Sequence, residues 1–373
     1  MRILYVNDAL AIWGGLERIL VEKANYLACY YGYDVCIVTS EQGRHKVPFT
    51  IKSQVKHIDL GINFHTQYKY KGLRRFKKCY QLHRKYRTAL KSVISDFCPD
   101  VIVAMRVDLV EDILKLKGHI PLIVESHACC KCSVFEGYSY FRRVLFSWHV
   151  YFASKADIIV SLTESDAKDW ERKTNNVCVI PNVVNLNPLD SISSHETKSV
   201  IFVGRLSKQK DVLILLKIWE IVSNRHPDWT LNIYGEGDEE KRIKAIISHM
   251  DGRVLLHKPT LDIYEKYVNS SLLLLTSLYE PFGLVIPEAM SCGLPVVAFD
   301  CPYGPADIIT DGVDGFLIRK RDISLFSEKV CMLLENKKMR EQMGHAAIAS
   351  SQRYKPNIIM PKWKDLFEMV LKK

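Results

Sequence analysis

No apolar run in this 373-residue chain approaches the roughly 18 residues that a membrane-crossing helix requires. The nearest approach, Val144 to Ala153, is short and interrupted by Ser147 and His149. A secretory leader is not expected either, since Met1-Arg2-Ile3-Leu4-Tyr5-Val6 reads as a strand pattern. These absences speak against secretion and membrane insertion and for a cytoplasmic protein. No G-x-G-x-x-G follows the first strand, which argues against a nicotinamide or flavin site. The 11 cysteines form no even framework; most lie in apolar segments such as Asp34-Val35-Cys36-Ile37-Val38, as expected of reduced thiols. Between Gly61 and Ser95 there is no acidic residue at all.

With 48% hydrophobic and 25% charged residues, the chain has the composition of a globular protein. Its length suits two domains or one large barrel, and supports a core that needs neither disulfides nor a structural metal. The formal net charge of +10 is uneven: residues 1–197 carry 27 basic and 20 acidic side chains, residues 198–373 carry 25 and 22.

Continuous apolar runs at 3–7, 35–39, 101–105, 122–125, 158–162 and 177–180 read as parallel strands buried on both faces. Helix-length segments separate them, including 16–31 and 109–115. A stretch of turn chemistry at 185–198, with Pro188, Asp190, Ser191, Ser193 and Ser194, reads as a linker. A second series of strands then begins, at 199–203, 231–234, 254–257, 272–276 and 296–299. The pattern predicts an α/β protein with two Rossmann-like domains, at 1–190 and 198–353, whose strand ends can face a ligand cleft. Residues 354–373 complete it as an amphipathic helix near the domain junction, with Trp363, Phe367 and Val370 on one side.

Three segments carry candidate chemistry. Asn7-Asp8 ends the first strand and precedes Trp13-Gly14-Gly15-Leu16-Glu17, where glycines before a helix leave N–H groups for a phosphate or another polar group, or simply make a turn. Gly204-Arg205-Leu206-Ser207-Lys208-Gln209-Lys210 ends the first strand of the second half. There Arg205 and Lys210, straddling a helix start, can converge on one anion. The third segment is Glu280-Pro281-Phe282-Gly283-Leu284-Val285-Ile286-Pro287-Glu288-Ala289-Met290-Ser291-Cys292-Gly293-Leu294-Pro295. Glu280 and Glu288 can face one pocket with the amides of Phe282, Gly283 and Leu284, a set suited to sugar hydroxyls and phosphate oxygens. Taken singly, each acid also reads as a loop charge or a helix-dipole partner.

The spacing of Glu280 and Glu288 in this segment resembles the donor-site signature of retaining GT-B glycosyltransferases of family 4 (glycosyl transferases group 1). Gly204-Arg205-Leu206 with Lys210, the early Gly14-Gly15, and Gly235-Glu236-Gly237 fall where that family has its motifs. The resemblance implies a GT-B fold whose C-terminal helix crosses back to the N-terminal domain. It also implies a nucleotide-sugar donor, with Glu288 on the ribose, Glu280 on the sugar, and Arg205 and Lys210 on the diphosphate, helped by Gly15 and the amides around Phe282, Gly283 and Leu284. His127 matches the family's active-site histidine. The family's usual glycine after the lysine is replaced here by Asp211, which puts an acid near the phosphates. Residues 299–309 resemble a branch that uses UDP-linked N-acetylhexosamine or galactose-type donors. The implied reaction is a front-face substitution on a glycan acceptor, without a metal or other cofactor, and no D-x-D of the metal-dependent transferases is present. A sugar-nucleotide epimerase on the same scaffold and a non-catalytic nucleotide-sugar binding module are the alternatives.

Ten cations fill the acid-free stretch, among them Arg74, Arg75, Lys77 and Lys78, with Tyr68, Tyr70, Leu73, Phe76 and Tyr80 interleaved. On a helix this pattern suits the surface of an anionic membrane and a lipid-linked acceptor at its inner face. Nucleic acid would accept the same charge but is not expected beside the donor motifs, and a solvated helix face is the plain alternative. Tyr138 to Phe152 adds aromatics and two cations. Cys129-Cys130-Lys131-Cys132 lacks a second pair at zinc spacing and is not expected to hold metal.

Overall fold

The apolar runs become strands because every residue in them can be buried from both sides. In the computed structural model, which describes residues 1–11, 14–131, 139–189 and 191–372, they build two units. Trp13, Cys132, Tyr138 and Asp190, each part of a segment singled out above, lie outside the described residues.

Unit 1 comprises Met1–Val183 and Ile359–Lys373. Its strands are β1 (Arg2–Asn7), β2 (Asp34–Thr39), β3 (Val55–Asp59), β4 (Val101–Ala104), β5 (Leu122–Ser126), β6 (Ile158–Ser161) and β7 (Val177–Val179). They form one parallel sheet in the order β3-β2-β1-β4-β5-β6-β7. Helices α1 (Gly15–Tyr31), α2 (Gly72–Phe97), α3 (Val110–Leu114), α4 (Tyr140–Ala153) and α5 (Glu164–Glu171) connect them. Helix α1 ends at Gly32, whose left-handed backbone (φ 66°) lets its N–H reach the Leu27 carbonyl.

Unit 2, Val184–Ile358, has strands β8 (Ser199–Val203), β9 (Thr230–Tyr234), β10 (Val254–His257), β11 (Leu272–Leu275), β12 (Val296–Phe299) and β13 (Gly315–Ile318). They too are all parallel, ordered β10-β9-β8-β11-β12-β13. The helices are α6 (Val212–Arg225), α7 (Glu240–Ile247), α8 (Ile263–Val268), α9 (Val285–Ser291), α10 (Gly304–Ile308), α11 (Ile323–Glu335) and α12 (Lys337–Ser351). Trp219, Phe202, Phe326 and Val297 are completely buried in its core. The last helix, α13 (Pro356–Leu371), lies mostly in unit 1 and buries Trp363, Phe367 and Val370.

Two strands carry no sequence expectation. Edge strand β3 buries only Val55 fully, so it offers no apolar run, and β13 is introduced by glycine. The expected linker at 185–198 is not a free tether. Ser193 and His195 are buried, the Ser193 N–H bonds the Cys292 carbonyl at 2.9 Å, and Arg340 donates to the His195 carbonyl at 2.7 Å. The expected helix at 109–115 is a 3-10 turn, Val107–Leu109, followed by α3.

In each sheet the strand order reverses direction once: between β1 and β4 in unit 1, and between β8 and β11 in unit 2. Open α/β sheets bind ligands at the carboxyl ends of the strands flanking such a reversal. The loops following those four strands are therefore the candidate ligand-binding loops.

Candidate active site

In unit 2 the loop after β8 carries Arg205 and Lys210, and the loop after β11 carries Glu280. The reversal of strand order brings these loops together. Lys210 Nζ donates to Glu280 Oε1, which also accepts from Ser277 Oγ at 2.6 Å. Both side chains are largely buried, with Lys210 at 16% and Glu280 at 4% exposure. Helix α6 starts only at Val212, so Arg205 and Lys210 precede the first turn rather than straddle it. Arg205 is exposed.

Glycines make this arrangement possible. A Cβ on Gly235 would lie 1.9 Å from the Gly204 carbonyl oxygen, and one on Gly237 would lie 2.4 Å from that of Leu206. The β9 loop can therefore press against the β8 loop, with Leu206 N–H on the Glu236 carbonyl at 2.9 Å and Glu239 N–H on that of Leu206 at 3.0 Å. Gly304 does the same for Glu280: a Cβ there would meet the Phe282 oxygen at 2.0 Å, and its N–H bonds the Glu280 carbonyl at 2.9 Å. Gly283 adopts φ 93°, a conformation glycine takes without strain.

Glu288 is buried in the first turn of α9, where its charge complements the helix dipole, and Tyr267 donates to it at 3.4 Å. Phe282 is buried edge-on against Tyr354, centroids 5.4 Å apart, so its side chain serves packing. The N–H groups of Phe282, Gly283 and Leu284 precede α9 and have no backbone acceptor among the described residues.

Asp211 departs from the sequence expectation. Its carboxylate is held by Arg321 at 2.7 Å, so it is spent on that guanidinium and is not a free acid for the phosphate region. Arg321 also stacks over Phe299 at 4.5 Å and donates to the carbonyls of Ser277 and Thr276. The left-handed backbone of Asp211 (φ 46°) accounts for the glycine expected at this position.

In unit 1, Asp8 follows β1 and pairs with Arg106 after β4, at 2.8 Å. Burial raises the Asp8 carboxyl to about 6 against the pull of Arg106. Gly15 opens α1, but the Glu17 carboxylate folds back to where a Gly14 Cβ would stand, which places an acid beside the expected phosphate position. His127 follows β5 and is nearly buried, its Nε2 3.0 Å from Glu125 Oε1. Lys23 bonds the other oxygen of Glu125. Burial alone would raise the Glu125 carboxyl, but Lys23 and His127 outweigh it and hold it down at about 2. Sequence reasoning missed Ser277, Tyr267, Arg321, Glu125 and Lys23. The last two had a signal: Lys23 stands one turn from Ile19 and from Leu27 on the apolar face of α1, and Glu125 interrupts an apolar strand.

Arg74, Arg75, Lys77 and Lys78 lie in the first two turns of α2, where no residue is buried. Leu73 (88% exposed), Phe76 and Tyr80 stand in the open beside them, and Arg75 covers the Tyr68 ring at 4.6 Å. Helix α4 likewise exposes Tyr140, Phe141, Trp148 and Tyr151. Among the described residues, no helix is long and apolar enough to cross a membrane.

Two family models cover most of the chain. "Glycosyl transferases group 1" matches residues 190–350 and "Glycosyltransferase Family 4" residues 13–188. An uncharacterized glycosyltransferase of Haemophilus influenzae is 29% identical over 95% of this chain and 96% of its own. The amylovoran biosynthesis glycosyltransferase AmsD of Erwinia amylovora is 26% identical, over 98% of this chain and 99% of its own. A mutant of S. aureus TarM, solved with fondaparinux, alpha-GlcNAc-glycerol and UDP, has the same fold. Its TM-score is 0.80 over 98% of this chain and 99% of its own, at 16% identity.

Proposed function

The chain belongs to the glycosyl transferases group 1 family of GT-B glycosyltransferases, and from that premise we propose a retaining, metal-independent enzyme that uses a UDP-linked hexose or N-acetylhexosamine. Its acceptor is a glycan carried on a membrane lipid, and its place is cell-surface polysaccharide synthesis on the inner face of the membrane. The observation that carries this reading is the Lys210–Glu280 pair at the switch point of unit 2, with Arg205 in the same loop as Lys210 and Glu288 in the same unit. The amylovoran role of one full-length relative and the UDP in the TarM structure support the donor and pathway class.

The pair suggests how the donor is taken up. A diphosphate competes with Glu280 for Lys210, and the carboxylate so released accepts hydroxyl hydrogens of the sugar. Glu288 accepts from the ribose, while Arg205, Gly15 and the N–H groups of Phe282, Gly283 and Leu284 complete the donor contacts. In the transfer step the bond from the anomeric carbon to the phosphate oxygen breaks. The acceptor oxygen bonds to that carbon on the same face, and its proton passes to the departing phosphate. Arg205 and Lys210 stabilise the charge that develops there, which is electrostatic catalysis. His127 contacts the reacting sugar. The exposed cations and aromatics of α2 hold the enzyme at an anionic bilayer.

A panel of UDP-sugars tests the reading. One of them is expected to raise the melting temperature and, with a lipid-linked acceptor and excess EDTA, to yield a product whose anomeric configuration matches the donor's. An inverted product overturns retention, dependence on a divalent ion overturns metal independence, and no response to any UDP-sugar overturns the donor class.

A further inference from the structure

The buried charges of unit 1 have no part in donor binding as proposed. Lys23 lies on the face of α1 that buries Ile19, Leu20, Ala24 and Leu27. Lys23 and Glu125 are each only 1% exposed. The ammonium also sits 3.9 Å from the centroid of the Trp363 ring of α13 and 5.7 Å from that of Tyr5. Carboxylate, cation and indole thus enclose one another. The carboxylate's second oxygen, Oε1, faces His127 Nε2 at 3.0 Å, with no in-line hydrogen bond formed by that nitrogen. His127 retains 8% exposure, so its side chain is less completely sealed than those of Lys23 and Glu125.

Removing an ammonium and a carboxylate from water costs several kcal/mol for each ion, and an apolar pair of similar volume would fill the same space without that cost. The pair therefore calls for a role beyond packing, and its geometry supplies one. We propose that Glu125 is the positioning residue for His127. Pinned through Oε2 by Lys23, it turns Oε1 toward Nε2, fixes the plane and proton placement of the imidazole, and leaves Nδ1 as the nitrogen offered to substrate. Trp363 closes the far side of Lys23, so the C-terminal helix is part of the support of this histidine. The inference rests on the reading above in which His127 contacts the reacting sugar.

The test uses the full chain with its histidine rings labelled with nitrogen-15, His127 being assigned through His127→Gln. The wild type is expected to hold His127 in one tautomer, protonated at Nε2, and Glu125→Gln to release it to a mixture of both. UDP release from UDP-glucose and UDP-N-acetylglucosamine in the presence of acceptor is expected to lose about 10–100-fold in kcat in Glu125→Gln. Its Kd for UDP stays within about twofold of the wild type, because neither Glu125 nor His127 is assigned a contact with the nucleotide. The double variant Lys23→Met, Glu125→Gln removes both charges and guards against simple misfolding. It is expected to fold and to remain as slow as Glu125→Gln, and Trp363→Leu is expected to loosen the His127 tautomer in part. A double variant with wild-type kcat, or unchanged His127 ring signals in Glu125→Gln, overturns the proposal. His127→Gln separates the two readings. Full activity in that variant removes His127 from the substrate and overturns both, whereas a slow His127→Gln beside a fast Glu125→Gln overturns the positioning role alone.

Discussion

Among the described residues each unit holds one largely buried lysine–glutamate pair, and the two pairs differ in what they leave open. Lys23 and Glu125 are sealed beneath Trp363, and neither has an edge to spare. Lys210 keeps 16% exposure and lies in a loop at a sheet's switch point, the loop that also carries the exposed Arg205. The same two residue types thus serve different ends according to access. A sealed pair can only hold its neighbours in place, whereas an open pair can be parted by a ligand that offers the lysine a better anion.

The sharpest way to break that comparison is to remove each lysine. Lys23→Met leaves Glu125 charged and buried without its partner, and is expected to cost about 3–5 kcal/mol in urea unfolding. Lys210→Met leaves a carboxylate that still has Ser277. It is expected to cost about 1 kcal/mol or less, yet to lower kcat/KM by about 100–1,000-fold. Equal structural costs would erase the distinction between the pairs.

Acid titration of the wild type against the double variant Lys23→Met, Glu125→Gln gives a second test. The folded Glu125 value of about 2 lies below that of an unfolded glutamate, about 4.3. Its ionised form therefore contributes fully above about pH 4.3, and the contribution is lost as pH falls toward 2. The stability difference between the two chains is expected to be flat from pH 7 to 5 and to shrink below about 4, read by circular dichroism.

Gly304→Ala sets a Cβ 2.0 Å from the Phe282 oxygen and must displace the loop that holds Glu280. An expected loss of about 1–3 kcal/mol, with at least a tenfold fall in kcat/KM, would mark that loop as a support of the open pair. The smallest stability effect belongs to the surface of α2. Replacing Arg74, Arg75, Lys77 and Lys78 by serine is expected to change stability by about 0.5 kcal/mol or less. It should also reduce binding to vesicles rich in anionic lipid by about 1 kcal/mol per charge near the surface. Unchanged vesicle binding would remove the membrane from the account.

Elements buried from both sides were legible in the sequence, since a run such as Leu272 to Leu275 admits little else. Edge strand β3 was not, because four of its five residues are not fully buried and the alternation is broken by charge. The Glu280 and Glu288 motif was legible because seven intervening residues keep it local. What the motif could not tell was that Lys210 bonds Glu280 across 70 positions of sequence, or that Asp211 turns to Arg321 across 110. Those pairings follow from strand order, which no local window contains. Lys23 was overlooked because a charged residue on an apolar helix face is ordinarily a long side chain reaching for water; here Glu125 and Trp363 meet it first.

The most direct test of the central claim is a calorimetric titration of UDP into the full chain and into two variants, Lys210→Met and Glu125→Gln. The wild type is expected to bind UDP, Lys210→Met to bind at least tenfold more weakly, and Glu125→Gln to match the wild type. A wild type that does not bind UDP, or a Lys210→Met chain that binds it undiminished, would contradict the assignment of the open pair to the donor diphosphate.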